Sequence, residues 1–409
     1  MSEPRTDRWQ LPDGVDELLP GPAWRVETLR RAFIDGCRSW GFELVMPPLI
    51  EYVDNLLTGS GETLELQTFK LVDQHSGRTL GVRADMTPQV ARMDAHALGG
   101  AEPARLCYTG TVLRTRADGA GGSRSPQQFG AELFGHAGVE SDIEICRLML
   151  ETVRLAGVPA RRTVLDLGHV GVYRALVADL GLAAAEEAGV FEALRRGSLP
   201  DLDARLAALG TGTDGATEGE RLRRLCHLRG GDRTIARARE ELNGAGEGVT
   251  RALDELDELV AAVRETHPDV ALHVDLAELR GYAYHTGALF ALHDDDGTQL
   301  ARGGRYDRIG ESFGRVRPAT GFSGDLKRLA DRARALRDEG PAPTKGESDS
   351  VRVDVRTVAQ GWPEIVRRRA SGERIVFDLP DAGGSEGAAA DAPDSATRFR
   401  RELVRDEGR

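Results

Sequence analysis

Cysteine is scarce. Cys37, Cys107, Cys146 and Cys226 are the only four in 409 residues, widely spaced and without a CxxC. This argues against a disulfide framework and for reduced thiols in a cytoplasmic protein. The nine histidines form no HxxxH or HExxH, so no metal site is expected. No run of about 18 apolar residues occurs, and the opening MSEPRTDRWQLPDG lacks the apolar core of a signal peptide, so no membrane role is expected. The stretch TGSGETLELQTFKLV, residues 58–72, carries Gly59 and Gly61 but no GK[ST], which removes the case for a phosphate-binding P-loop. Positive charge is in deficit, with a net charge of -12, which argues against a dedicated nucleic-acid binder. No internal repeat is visible, and no cofactor is expected. What is present is an ordinary globular composition, 40% hydrophobic and 29% charged, long enough for two or three domains and a large core.

The most informative stretch is Arg105 to Gly135, RLCYTGTVLRTRADGAGGSRSPQQFGAELFG. Two extended segments flank a Gly-rich loop and predict a long β-hairpin. On its second strand Gln128, Gly130 and Glu132 share one face by period-two alternation, and Phe129 and Leu133 face the other way. An amide and a carboxylate opposite an apolar face read either as ligand grip or as a solvated sheet face.

Around this hairpin the chain alternates helix and strand signals. Apolar spacing near 3.6 predicts a helix over Trp24–Trp40, and Phe42–Met46 reads as a short strand stopped by Pro47 and Pro48. Such a strand suits a sheet edge or a subunit contact. In VRADMTPQVARMDAH, Thr87 followed by Pro88 predicts an N-cap and a helix to about Ala97. Asp85, just before it, either caps or binds. Asp142–Leu155 reads as a helix, Val164–Leu167 as a strand, and 170–266 as an almost wholly helical insertion broken near Gly197–Pro200 and Gly210–Gly215. Val270–Val274 returns to strand. The alternating segment Leu279–Phe290, LRGYAYHTGALF, predicts a central strand with Arg280 near its start. Leu300–Asp307 and Thr320–Leu329 predict a strand and a strand running into a helix. GPAPTKGESDS, 340–350, has linker composition. Val351–Leu379 reads as strand–helix–strand, and 382–397 as a flexible low-complexity tail.

LPDGVDELLP, FKLVDQHSGRTLGVRADMTPQVAR, YTGTVLR…SPQQFGAELFG, RGYAYHTG and ARGGRYD…ATGFSGDLKRL together resemble the class II aminoacyl-tRNA synthetase core, and more narrowly its histidyl branch. The match runs in order over roughly residues 10–330. The resemblance implies an α+β fold, an antiparallel sheet flanked by helices, with a helical insertion between the second and third motifs and dimerisation around Phe42–Ile50. The expected organisation is a first part of the core over 1–169, the insertion over 170–266, a second part over 267–339, the linker, and a small C-terminal unit over 351–409.

Two branches of the family fit: active histidyl-tRNA synthetases, and the non-catalytic regulatory subunits of ATP phosphoribosyltransferase in histidine biosynthesis. Departures favour the second. Arg114 is followed by Thr115 and Arg116 where a synthetase carries a Glu that holds the adenine, and a guanidinium accepts no hydrogen bond. Asp325 stands where the third motif usually has Gly, and a carboxylate there repels phosphate. Tyr284–His285 replaces two adjacent tyrosines, and the chain beyond 350 is too short for an anticodon-binding domain. The amino-acid pocket looks retained. By motif position Asp85, Thr87, Arg114, Gln128, Glu132, Arg280, Tyr306 and Arg328, together with Tyr284 and His285, are the expected histidine-binding residues, with none catalytic. Asp85 is shorter than the family's Glu. The resemblance further implies a homodimer, L-histidine as effector, no tRNA, and a short-form catalytic subunit as partner in a hetero-octamer.

Overall fold

The computed structural model describes residues 10–58, 62–100, 102–117, 122–178, 180–208, 215–279, 281–282, 284–338, 351–354, 358–371 and 375–378. Contacts divide the chain into two units, Met1–Leu336 and Arg337–Arg409. The first opens on α1 (Pro20–Ser39), β1 (Glu43–Leu44), β2 (Ile50–Tyr52), α2 (Val53–Leu56), α3 (Glu62–Gln67), and the hairpin of β3 (Phe69–Val72) and β4 (Thr79–Val82). Next come α4 (Thr87–Met93) with a π-helical turn at Asp94–Leu98, the long hairpin β5 (Ala104–Thr111) and β6 (Gln127–Phe134), α5 (Val139–Leu155), and β7 (Thr163–His169). Helices dominate the following stretch: α6 (Val170–Ala178), α7 (Ala184–Arg195), α8 (Leu199–Ala208), α9 (Gly215–Leu225), the brief β8 (Arg229–Gly230), α10 (Thr234–Glu241), and α11 (Glu247–Thr266). The core resumes with β9 (Ala271–Asp275), β10 (Ala288–Asp294), β11 (Gln299–Arg305), β12 (Ala319–Asp325) and α12 (Leu326–Asp338).

Nine strands form one sheet in the order β1-β5-β6-β12-β11-β10-β7-β9-β8, and β2-β4-β3 form a smaller one. The run from β5 to β7 is antiparallel throughout. Toward its flanks β1 joins β5, and β9 joins β7, in parallel, so the sheet is mixed. On α1 the buried positions Val26, Leu29, Phe33 and Cys37 recur at three- and four-residue spacing, which lays one stripe against the sheet. Phe33 meets Phe129 of β6 edge-on at 5.1 Å. Burying each such side chain contributes about 1.5–3 kcal/mol. The core they join includes buried residues from α5, α6 and α11.

Two expectations are corrected, one open alternative is decided and one short element is added. The face of β6 bearing Gln128 and Glu132 is not solvated, since both residues are buried. Leu279–Phe290 is not one strand. Gly281 has φ +75°, and Tyr284 and His285 both donate their N–H to its carbonyl at 2.8 Å, so the chain turns and extends only from Ala288. Thr87 is not an N-cap; it is the first helical residue, and its N–H is taken by Asp85 Oδ1 at 3.0 Å. The insertion is interrupted by β8, which pairs with β9. The break after Gly210 and the segments 340–350 and 382–397 lie outside the described residues.

The second unit contains β13 (Val351–Asp354), α13 (Val358–Ala370) and β14 (Ile375–Asp378), with the two strands parallel and Ile365 and Ile375 buried. Among the described residues no helix is long and apolar enough to cross a membrane.

Candidate functional site

Glu132 is the anchor. It projects from β6 beside Gly321 of β12, its cross-strand partner. A Cβ at Gly321 would stand 1.6 Å from Glu132 Oε2, so only glycine leaves room for this carboxylate. Three hydroxyls donate to it. Thr87 and Tyr108 reach Oε1 at 2.9 and 2.8 Å, and Tyr306 reaches Oε2. Three donors ordinarily favour the ionised form, but here removal from water outweighs them. Burial, with the Asp85 charge adding to it, pushes the carboxyl up to about 8. The tyrosines around it are pushed up as well, chiefly by burial, and so stay protonated.

A second layer fixes this group. Gln128, on the same face of β6, accepts the Met86 N–H at 2.9 Å and donates Nε2 to Asp85 Oδ1 at 2.9 Å. Asp85 thereby caps α4 and borders the site. Above Glu132 the turn before β10 supplies Tyr284 and His285. The Tyr284 ring stacks on Tyr306 at 5.0 Å. Its hydroxyl is buried and finds no hydrogen-bond partner among the described residues, which leaves one polar group for a ligand to satisfy. His285 Nδ1 lies 3.2 Å from the Arg305 carbonyl; a carbonyl can only accept, so Nδ1 carries the proton. Burial lowers this imidazole to about 4 and keeps it neutral.

These groups wall a cavity of about 500 Å³, within the size range of small-molecule sites. Of the expected residues, Asp85, Thr87, Glu132, Tyr284, His285 and Tyr306 line it, and Gln128 joins through Asp85. Arg114 stands outside the lining, its Nε donating to the Ala84 carbonyl at 3.1 Å. Arg328 on α12 lies 3.5 Å from the carbonyl of the lining residue Gln299. Arg280 is outside the described residues. Sequence reasoning missed Tyr108, which sits opposite Gly130 on β5; hairpin register combined with alternation would have placed it on the Glu132 face. It also missed Asp166, another residue of the lining. That carboxylate is held below its usual range despite its burial by His293 and His273, at 2.9 and 3.0 Å. Among the described residues no cluster of three His, Cys, Asp or Glu could hold a metal ion.

Residues 14–329 match the family model described as histidyl-tRNA synthetase. A relative from Thioalkalivibrio sulfidiphilus, an ATP phosphoribosyltransferase regulatory subunit, is 52% identical over 389 residues, 94% of each chain. The chain belongs to this family of regulatory subunits. Among solved structures, the regulatory subunit/histidyl-tRNA synthetase from Bacillus halodurans superposes with a TM-score of 0.77 at 26% identity, covering 94% of this chain and 96% of that one. A chain of the ATP phosphoribosyl transferase (HisG:HisZ) complex from Thermotoga maritima shares the fold at 17% identity, with a TM-score of 0.54 over 73% of this chain and 96% of that one. Regulatory-subunit membership agrees with the departures in the synthetase motifs. Arg116 is exposed. Asp325 is engaged within the chain, its Oδ1 accepting the N–H groups of Lys327 and Gln127 at 3.0 and 3.1 Å.

Proposed function

We propose that this chain binds L-histidine in the cavity above Glu132 and conveys that occupancy, as feedback inhibition, to a short-form ATP phosphoribosyltransferase catalytic subunit in the cytoplasm. The observation that carries the reading is the pairing of the buried Glu132 with the unpartnered Tyr284 hydroxyl. One accepts an imidazole N–H, and the other offers a donor or acceptor to the same ligand. Asp85 and Thr87 suit the α-amino group, Gln128 holds Asp85 in place, and His285 and Tyr306 close the walls. A ligand shifts an equilibrium only by its differential affinity, so histidine must bind better to the inhibited arrangement than to the active one.

The exposed edges support the assembly part of this reading. β1 ends the larger sheet and β2 the smaller one, and Leu44, Met46, Leu49 and Ile50 there are exposed. Unpaired edges rich in apolar side chains favour a two-fold self-contact, and a symmetric dimer can then join catalytic subunits, as a hetero-octamer. The test is to mix the chain with a short-form catalytic subunit, then measure light scattering and activity with ATP and phosphoribosyl pyrophosphate. The mixture should be larger than either component, more active than the catalytic subunit alone, and inhibited by L-histidine. The chain alone should show no histidine-dependent ATP–pyrophosphate exchange. Separate elution with unchanged activity, or robust exchange, overturns the reading.

A further inference from the structure

The turn carrying Tyr284 and His285 is held from behind by the helical insertion. Val170 and Arg174 sit one turn apart on the same side of α6. Val170 donates its N–H to the Gly287 carbonyl at 3.1 Å. Arg174 Nη2 donates to the carbonyls of Tyr282 and His285 at 2.8 and 3.0 Å. Its guanidinium also lies over the Tyr282 ring, 4.3 Å from the centroid. Tyr282 and Tyr284 point to opposite sides of the turn. Tyr284 walls the cavity, and Tyr282 is wedged between α6 and α7. Its ring meets Tyr173 of α6 and Phe191 of α7, each at 5.1 Å, and its hydroxyl donates to Glu187 of α7. Glu187 and Phe191 again lie one helical turn apart. A single short segment therefore has one tyrosine in the cavity and the neighbouring one in the insertion. Its carbonyls on either side of Tyr284 are tied to one arginine.

We propose that Arg174 is a positioning residue, a strut through which occupancy of the cavity is passed to α6 and α7. The proposal rests on the reading of the cavity as a histidine site and supplies its exit route. A ligand that satisfies the Tyr284 hydroxyl fixes the Tyr284 and His285 peptides. The Tyr282 and His285 carbonyls on either side of Tyr284 then fix Arg174, and Tyr282 moves or holds α7 through Glu187 and Phe191. Packed side chains with two discrete arrangements are what carries such coupling. Arg174 does not line the cavity, so its loss severs the route without removing a ligand contact.

The experiment is hydrogen exchange of the full-length chain with and without saturating L-histidine, beside calorimetry of the same samples. In the parent, histidine should slow exchange in the turn and in both α6 and α7. In Arg174→Met histidine should still bind and still slow the turn, while the slowing in α6 and α7 is lost. Arg174→Lys keeps the charge and one donor and should recover it in part. Tyr282→Phe keeps the ring and its contact with Phe191 and deletes only the bond to Glu187, so α7 should lose part of its slowing while α6 keeps it. If Arg174→Met does not fold, as read by circular dichroism, Arg174→Lys and Tyr282→Phe decide the question. Equal slowing of α6 and α7 in parent and variants overturns the strut alone. A parent that binds histidine without any change in α6 and α7 overturns it too. No heat of binding in the parent overturns the reading of the cavity, and the strut with it.

Discussion

Replacing Glu132 by Gln isolates one buried ionisation. In the folded chain its carboxyl holds its proton up to about 8, against an ordinary value of 4.5. Below 4.5 folded and unfolded chains both carry the proton, and the contribution to stability is fully present. Between the two values the unfolded chain has released it while the folded chain keeps it, so stability falls as pH rises and the contribution is gone once pH passes about 8. At about 1.4 kcal/mol per pH unit, the whole interval from 4.5 to about 8 amounts to about 5 kcal/mol. Glutamine has the same shape and does not titrate. Its oxygen still accepts from Thr87 and Tyr108, and its amide faces the Tyr306 hydroxyl, which can accept instead of donating. Urea unfolding at pH 5 and pH 8.5, followed by tryptophan fluorescence, measures the difference. Other groups titrate alike in parent and variant and cancel. From the lower pH to the higher, Glu132→Gln should gain on the parent by about 4 kcal/mol, since part of the interval lies outside the two pH values. Parallel pH profiles for the two proteins would refute the assignment of a raised, buried carboxyl.

Two further substitutions probe the same region. Gly321→Ala puts a methyl group into Glu132 Oε2 and within 2.8 Å of the Ala131 carbonyl; calorimetry should show histidine binding lost, and denaturation a cost of about 1–3 kcal/mol from overpacking. Asp325→Ala removes the cap of α12 and the acceptor for the Gln127 N–H; the urea midpoint should fall by an amount equivalent to about 0.5–2 kcal/mol, and an unchanged midpoint would show the cap to be idle.

Much of this arrangement was legible in the sequence, and the reasons for the rest are local. Periodicity placed α1 through Val26, Leu29, Phe33 and Cys37, because a core-facing stripe repeats every turn. It also separated the two faces of β6. It could not say which face was covered, because the cover comes from Thr87 and Tyr306, 45 and 174 residues away. The segment around Tyr282 and Tyr284 looked like a strand because alternation marks any backbone that sends successive aromatics to opposite sides. A turn at Gly281, braced by Arg174 from the insertion, does the same. Thr87 looked like a cap because Ser, Thr and Asp are interchangeable in that role. Asp85, two residues earlier, took it and left the Thr87 hydroxyl for Glu132.

The two ends of the hairpin differ in how far their polar groups are already paired, and this difference bears on why the chain regulates rather than activates an amino acid. Toward Glu132 the buried Tyr284 hydroxyl is open to a ligand. Toward the loop end of β6 the polar groups bind one another. Arg124 donates to the Arg114 and Asp13 carbonyls, each at 3.0 Å, and its N–H goes to Gly14. Lys327 holds Asp16 and the Ser125 carbonyl at 3.0 and 2.7 Å. Asp325 is engaged by two N–H groups and is buried enough that its carboxyl is pushed up. A phosphate arriving here would have to break those bonds and face a carboxylate, losing as much as it gained. An amino acid arriving at Glu132 breaks none of them. On the proposed reading, the N-terminal segment from Asp13 to Asp16 ties off the end where the synthetase relatives would place nucleotide chemistry and leaves the proposed amino-acid end free to respond.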